Sequence, residues 1–145
     1  LGLVGSEMCI RDSSATACTD ITGFGLAGHL MEMLSAKNAE VQLSLSDIAP
    51  LNGALDTLQQ NIFSSLHNDN KLIAANSIYN YEAFTHDPKF ELLFDPQTAG
   101  GLLASVPDEN AEECLQELRE YGYSDAKAIG RIARLDGDLP SIVLT

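Results

Sequence analysis

Apolar positions recur along this chain with two periods, and the switches between them lay out its elements. Ala27, Leu30, Met31 and Leu34 fall three and four residues apart, the spacing of one helix face, so a helix is predicted from Gly23 or Phe24 to Ala36. Thr22 stands where its hydroxyl can accept from an orphan first-turn amide, and Asn38 where it can close the other end. His29 and Glu32 fall on the more polar side of that stripe. Val41, Leu43 and Leu45 then alternate with Gln42 and Ser44, the period of a half-buried strand. Pro50 and Asn52 turn the chain into a short helix from Gly53 to Gln59.

Asn61 to Asp87 is rich in Asn, Ser and His, with a weak helical pattern through Leu72, Ala75 and Ile78 or Tyr79, and reads as a loop carrying one helix. Glu91 to Phe94 and Gly101 to Val106 read as two strands joined by Asp95-Pro96-Gln97-Thr98-Ala99-Gly100. Asp108 is placed to cap a helix with Ala111, Cys114, Leu115 and Leu118 inward and Glu112, Glu113 and Glu117 in solvent. Gly122 suits a left-handed terminus for it. Ala126 to Leu135 and Ser141 to Leu144 close the chain as strands around the turn Asp136-Gly137-Asp138. Strands and helices mixed without a strict βαβ rhythm imply an α+β domain, with a mixed or antiparallel sheet and helices packed mainly on one face. Leu1 to Ser13 follows neither period, so residues 1–14 are read as a foreign segment, an assembly scar, ahead of a domain from 15 to 145.

Length and charge narrow the picture. A chain of 145 residues supports one core rather than two, and its 45% apolar content holds no run near the roughly 20 residues of a membrane span. Eight Lys plus Arg against 21 Asp plus Glu give a net charge of −13, which repels a nucleic-acid backbone and argues against nucleic acid as a partner. A polyphosphate ligand would need cations from a metal or from another part of the protein. Cys9, Cys18 and Cys114 are odd in number and form no CxxC pair, which fits a reducing cytoplasm rather than a disulfide framework or a zinc site. Glu7, Arg11 and Asp12 interrupt the first residues, so these do not read as a targeting segment.

Gly23 and Gly25 lie where a helix starts, at a cost of about 1 kcal/mol each in helix propensity. Close approach of a phosphate or metal-bound phosphate to the helix N-terminus would justify them, and so would close helix packing. Asp20, just ahead, could reach a divalent cation bridging phosphate oxygens, or could serve as a turn or capping group. The Asp95 to Gly101 connection can likewise be an ordinary tight link. His29, His67 and His86 are not spaced as metal ligands, and His29 reads as structural. Cys18 has no identifiable base nearby and reads as a small buried residue rather than a nucleophile. Met31 and Met33 read as core or near-core packing.

The stretch Thr19-Asp20-Ile21-Thr22-Gly23-Phe24-Gly25-Leu26-Ala27-Gly28-His29-Leu30 resembles a signature of selenophosphate synthetases. Asp95-Pro96-Gln97-Thr98-Ala99-Gly100-Gly101-Leu102-Leu103 resembles that family's later Gly-Gly segment, in the right order. The resemblance runs from about Ala15 to the C-terminus and implies the C-terminal half of an ATP-binding fold shared with aminoimidazole ribonucleotide synthetases. It implies Asp20 as a magnesium ligand, Thr22, Gly23 and Gly25 as the shape of the nucleotide site, Mg2+ as cofactor, and ATP and selenide as substrates. The implied reaction converts ATP, hydrogen selenide and water into selenophosphate, AMP and orthophosphate. The family's catalytic Cys or selenocysteine, a Lys and further Asp ligands belong to the N-terminal half, so no catalytic residue is assigned here. That half and a partner subunit in a homodimer would supply the cationic groups, and this length alone is expected to be inactive. Sister branches acting on aminoimidazole ribonucleotide, thiamine phosphate or hydrogenase maturation are the enzyme alternatives; Phe24 between two glycines, followed by Gly28-His29, argues against them. A non-catalytic binding module is the alternative of a different class.

Overall fold

A computed structural model describes residues 3–35, 39–134 and 141–145. Its elements in order are α1 (Leu3–Asp12), β1 (Ala17–Asp20), α2 (Gly25–Ser35), β2 (Ala39–Leu43), α3 (Ala54–Gln59), α4 (His67–Ala75), α5 (Tyr81–Phe84), β3 (Leu102–Ser105), α6 (Asp108–Glu120), β4 (Gly130–Arg134) and β5 (Ser141–Leu144). Short 3-10 turns lie at Leu45–Asp47 and Phe90–Leu93.

The strands form two sheets. In one, β2 is central, with β4 antiparallel on one side and β5 parallel on the other, so the sheet is mixed. The expected alternation holds along β2: Val41 and Leu43 are buried while Gln42 is exposed. Leu45, expected to extend that strand, instead opens a 3-10 turn and is buried there. Helix α2 packs on β2 and β5 through Ala27, Leu30 and Leu34, the stripe read from its spacing. The second sheet pairs β1 with β3 antiparallel, from Ala17 opposite Ser105 to Asp20 opposite Leu102. The whole is an α+β domain of the expected kind.

Part of the core is aromatic. Phe90 and Phe94 are fully buried, with ring centroids 5.2 Å apart and planes at 74°, and Tyr81 meets Phe90 edge-on at 5.0 Å. Each fully buried Phe, Leu or Ile contributes about 1.5–3 kcal/mol relative to exposure. The run carrying these rings was expected to be a strand from Glu91 to Phe94, joined by Asp95 to Gly100 to a second strand at Gly101–Val106. It is instead the 3-10 turn Phe90–Leu93, and β3 finds its partner in β1. Phe90, Leu92, Leu93 and Phe94 are all buried, so there is no exposed face to impose the alternation of a half-buried strand.

The loop expected between Asn61 and Asp87 carries two helices, α4 and α5, rather than one. In α4, Leu72 points to solvent at 75% exposure while His67, Asn70 and Ala74 are buried, so its inner face is largely polar. The chain after α4 is tied to β5: Ile142 N donates to Ser77 O at 2.8 Å and Tyr79 N to Ile142 O at 2.9 Å. Asn80 then exchanges two bonds with Leu144, donating from Nδ2 at 2.8 Å and accepting at Oδ1 at 2.9 Å.

Helix α6 ends as its glycine implies. Gly122 has φ +95°, Gly122 N donates to Arg119 O and Tyr123 N to Leu118 O, the paired bonds of a Schellman ending. Its start differs from expectation, since Pro107 is the cap and Asp108 pairs with Arg131 at 3.1 Å. Cys114 is buried and Glu112 and Glu113 are exposed as expected, whereas Glu117 is half-buried. Residues 3–12 form the helix α1, which packs on α6 and buries Cys9 and Ile10. Burial first, then the Glu117 carboxylate and the Cys114 thiol, push the Cys9 thiol above its ordinary range. Asn38 and the turn Asp136-Gly137-Asp138 lie outside the described residues.

Candidate functional site

Strand β1 ends at Asp20, and the chain passes through Ile21 and the turn Thr22–Gly25 into α2. Thr22 O accepts from Gly25 N at 3.1 Å, closing that turn. The segment Gln97 to Gly101 lies alongside. Ile21 N donates to Gly101 O at 2.9 Å, Gly100 N to Ile21 O at 3.1 Å, and Gln97 N to Thr22 O at 3.0 Å. The two stretches singled out in the sequence are thus one hydrogen-bonded unit.

The glycines in this unit have different reasons. Gly25 is buried at φ +68°, and a Cβ there would stand 2.9 Å from both Leu93 O and the Phe94 carbonyl carbon. Its absence of side chain lets the start of α2 press on the backbone before the second stretch. Gly100 has no room for a Cβ between Ile21 O and the Gln97 side chain. Gly23, by contrast, has open space around it.

Thr22 was expected to cap α2 through its hydroxyl. Instead Thr22 Oγ1 lies 3.0 Å from His29 Nε2, which also accepts from Thr22 N at 3.1 Å. His29, expected on a polar face, is 7% exposed and folds back over the turn. Because its Nε2 accepts an amide proton, the neutral ring carries its own proton on Nδ1. That atom is buried 3.4 Å from Glu32 Oε2, an electrostatic contact without hydrogen-bond geometry. The expected face of His29 is corrected: it lies on the buried side of α2, not the polar one.

Three residues of α4 that the sequence reading did not select complete the surroundings. Asn70, 8% exposed, donates from Nδ2 to Gly23 O at 2.8 Å and to Phe94 O at 3.1 Å, tying the glycine turn to the residue just before the second stretch. His67, 1% exposed, donates from Nε2 to Glu91 Oε2 at 2.8 Å and stacks on Phe63 at 4.4 Å between centroids. Lys71 pairs with the other oxygen of Glu91 and lies over the Phe90 and Phe94 rings. Burial pushes the Glu91 carboxyl up, but hydrogen bonds from Lys71 and His67 and their charges outweigh it and hold the group below its ordinary value. His67, Asn70 and Lys71 are spaced i, i+3, i+4, so polar periodicity was the signal that could have found them.

Asp20 is exposed at the end of β1. Among the described residues no three His, Cys, Asp or Glu side chains gather to hold a metal. That donor set does not make an all-protein cage. It does fit magnesium, which takes one or two carboxylates and completes its shell with waters and substrate phosphates. Cys18, read as buried, is exposed two residues before Asp20 on β1. Partial desolvation and the nearby Glu7 and Asp20 carboxylates push its thiol up, away from the thiolate a nucleophile requires. An open depression of about 230 Å³ lined by Gln42, Ser44, Asp47, Ala128, Gly130, Arg131 and Thr145 shares no residue with this unit. Among the described residues no helix is long and apolar enough to cross a membrane.

The family described as "AIR synthase related protein, C-terminal domain" matches residues 6–138. The chain is 33% identical over 132 residues to the "Selenide, water dikinase" of Clostridioides difficile strain 630, covering 88% of this chain and 36% of that protein. It is 33% identical over 124 residues to the "Selenide, water dikinase" of Caldanaerobacter subterraneus subsp. tengcongensis, covering 85% and 35%. Against the "Selenide, water dikinase" of Bdellovibrio bacteriovorus, identity is 36% over 120 residues, covering 80% and 32%. The chain therefore spans about a third of the length of these relatives. The match over residues 6–138 establishes that the chain belongs to the AIR synthase related protein family as its C-terminal domain.

Proposed function

We propose that residues 15–145 are the C-terminal domain of a selenide, water dikinase, contributing part of a magnesium–ATP site to a longer polypeptide. The observation that carries the reading is the hydrogen-bonded junction of Ile21 and Thr22 with Gln97, Gly100 and Gly101, which holds Asp20 beside the glycine turn. The names of the similar proteins support the chemistry: ATP, hydrogen selenide and water give selenophosphate, AMP and orthophosphate. Magnesium, when bound, neutralises phosphate charge during transfer. Asp20 offers one carboxylate to that ion, while Thr22, Gly23 and Gly25 shape the turn that receives the phosphates. The nucleophile and the cationic side chains come from the remaining two thirds of the polypeptide and from a second subunit, in a cytoplasmic homodimer. With a net charge of −13, this domain supplies few cations of its own. A sister ATP-using enzyme is the second reading, favoured by a family description that covers AIR synthase relatives in general.

Asp20→Asn tests the metal assignment in the full-length polypeptide. Because Asp20 is exposed, folding should be unchanged, and the magnesium concentration for half-maximal ATP turnover should rise about tenfold or more. Unchanged magnesium dependence would refute Asp20 as a ligand.

A further inference from the structure

The amide of Asn70 is a buried polar group within α4, and burial of such a group is costly unless its donors are used. Both Nδ2 protons are used, one on Gly23 O at 2.8 Å and the other on Phe94 O at 3.1 Å. One carbonyl lies in the first signature stretch and the other just ahead of the second: Gly23 is in the glycine turn, and Phe94 immediately precedes Asp95. A trans peptide unit points its C=O and the following N–H in opposite directions. Holding Gly23 O toward α4 therefore directs Phe24 N–H away from α4. The rotation of α4 is itself fixed one turn earlier, where His67 donates to Glu91 at 2.8 Å.

We propose that Asn70 is a positioning residue for the phosphate-binding turn: it sets the plane of the Gly23–Phe24 peptide and locks the turn to the backbone at Phe94. The inference rests on the reading of this turn as part of the ATP site. It assigns Asn70 no contact with ATP; it acts through the backbone amides that the nucleotide meets.

Asn70→Asp keeps the shape of the side chain but turns carboxylate oxygens toward two carbonyls. Asn70→Ser keeps a single donor, and Leu72→Ala, on the exposed side of α4, is the control. Amide hydrogen exchange on the 145-residue chain should accelerate at least tenfold at Gly25, whose N–H closes the turn on Thr22 O, in Asn70→Asp, less in Asn70→Ser and not in Leu72→Ala, with α6 and the β4-β2-β5 sheet unchanged. In the full-length polypeptide the KM for ATP should rise about tenfold in Asn70→Asp with a smaller change in kcat. Exchange unchanged at Gly25, or accelerated uniformly through the chain, would overturn the proposal. If Asn70→Asp does not fold, Asn70→Ser decides by the same criterion. If the unsubstituted full-length polypeptide does not consume ATP, the nucleotide reading fails, while the exchange pattern still reports whether Asn70 holds the turn.

Discussion

The backbone of Gly25 lies against the carbonyl group of Phe94, so closely that a Cβ on Gly25 would stand 2.9 Å from the Phe94 carbonyl carbon. Gly25→Ala would add that overlap to the strain of a side chain at φ +68°. The expected loss is about 2–4 kcal/mol, combining left-handed strain with overpacking. Gly23→Ala, with nothing within 4 Å of the new carbon, should change stability by less than about 1 kcal/mol. Urea unfolding of the two variants checks this contrast, and equal losses would contradict it.

His29→Leu removes the acceptor of the Thr22 amide. With Thr22 half-buried, the expected cost is about 1–3 kcal/mol, and His29→Gln, whose side-chain oxygen can take the place of Nε2, should recover part of it. Unfolding midpoints of the pair measure the difference. No recovery in His29→Gln would show that ring packing, rather than the hydrogen bond, matters at this position.

Glu91 carries the pH dependence that the structure makes legible. Its carboxyl is held below the ordinary value of 4.5, so the folded state binds this proton less readily than the unfolded chain. The stabilisation is therefore fully present above about pH 4.5 and is lost as pH falls through the lower folded value. Glu91→Gln should cost about 1–3 kcal/mol at neutral pH, the scale of hydrogen bonds to charged groups. That difference from the unsubstituted chain should shrink as pH drops below the ordinary carboxylate range. Melting temperatures from pH 3 to pH 7 test this, and a gap independent of pH would contradict it.

The parts of the fold legible in the sequence are those where one physical signal dominates. The α2 stripe of Ala27, Leu30 and Leu34, the alternation of Val41 and Leu43, and the glycine ending of α6 each follow from periodicity or backbone conformation. The misread parts are those where burial removes the signal. Phe90, Leu92, Leu93 and Phe94 are all buried, so this apolar run resembles a strand although it is a 3-10 turn. In α4 the inner face is polar, and a search for apolar spacing selected Leu72, which faces solvent.

The same divide runs through the candidate site. Asp20 and the turn Thr22–Gly25 stand out because two glycines at a helix start need a reason, and Gly25 has one in its contact with Phe94. That the second stretch would bond back to Ile21 and Thr22 is a matter of tertiary pairing, to which local pattern is blind. Asn70 and His67 sit in a segment of weak apolar pattern, and their roles appear only once Gly23, Glu91 and Phe94 are placed around them.

The most direct test of the central claim is phosphorus NMR of ATP incubated with magnesium, with and without selenide, on a family-type N-terminal part joined before Ala15 to residues 15–145. Selenide-dependent appearance of selenophosphate together with AMP and orthophosphate is the expected result. ATP turnover indifferent to selenide would contradict the dikinase reading and assign the chain to a sister branch, and a folded protein that leaves ATP intact would contradict the assignment to an ATP-using enzyme.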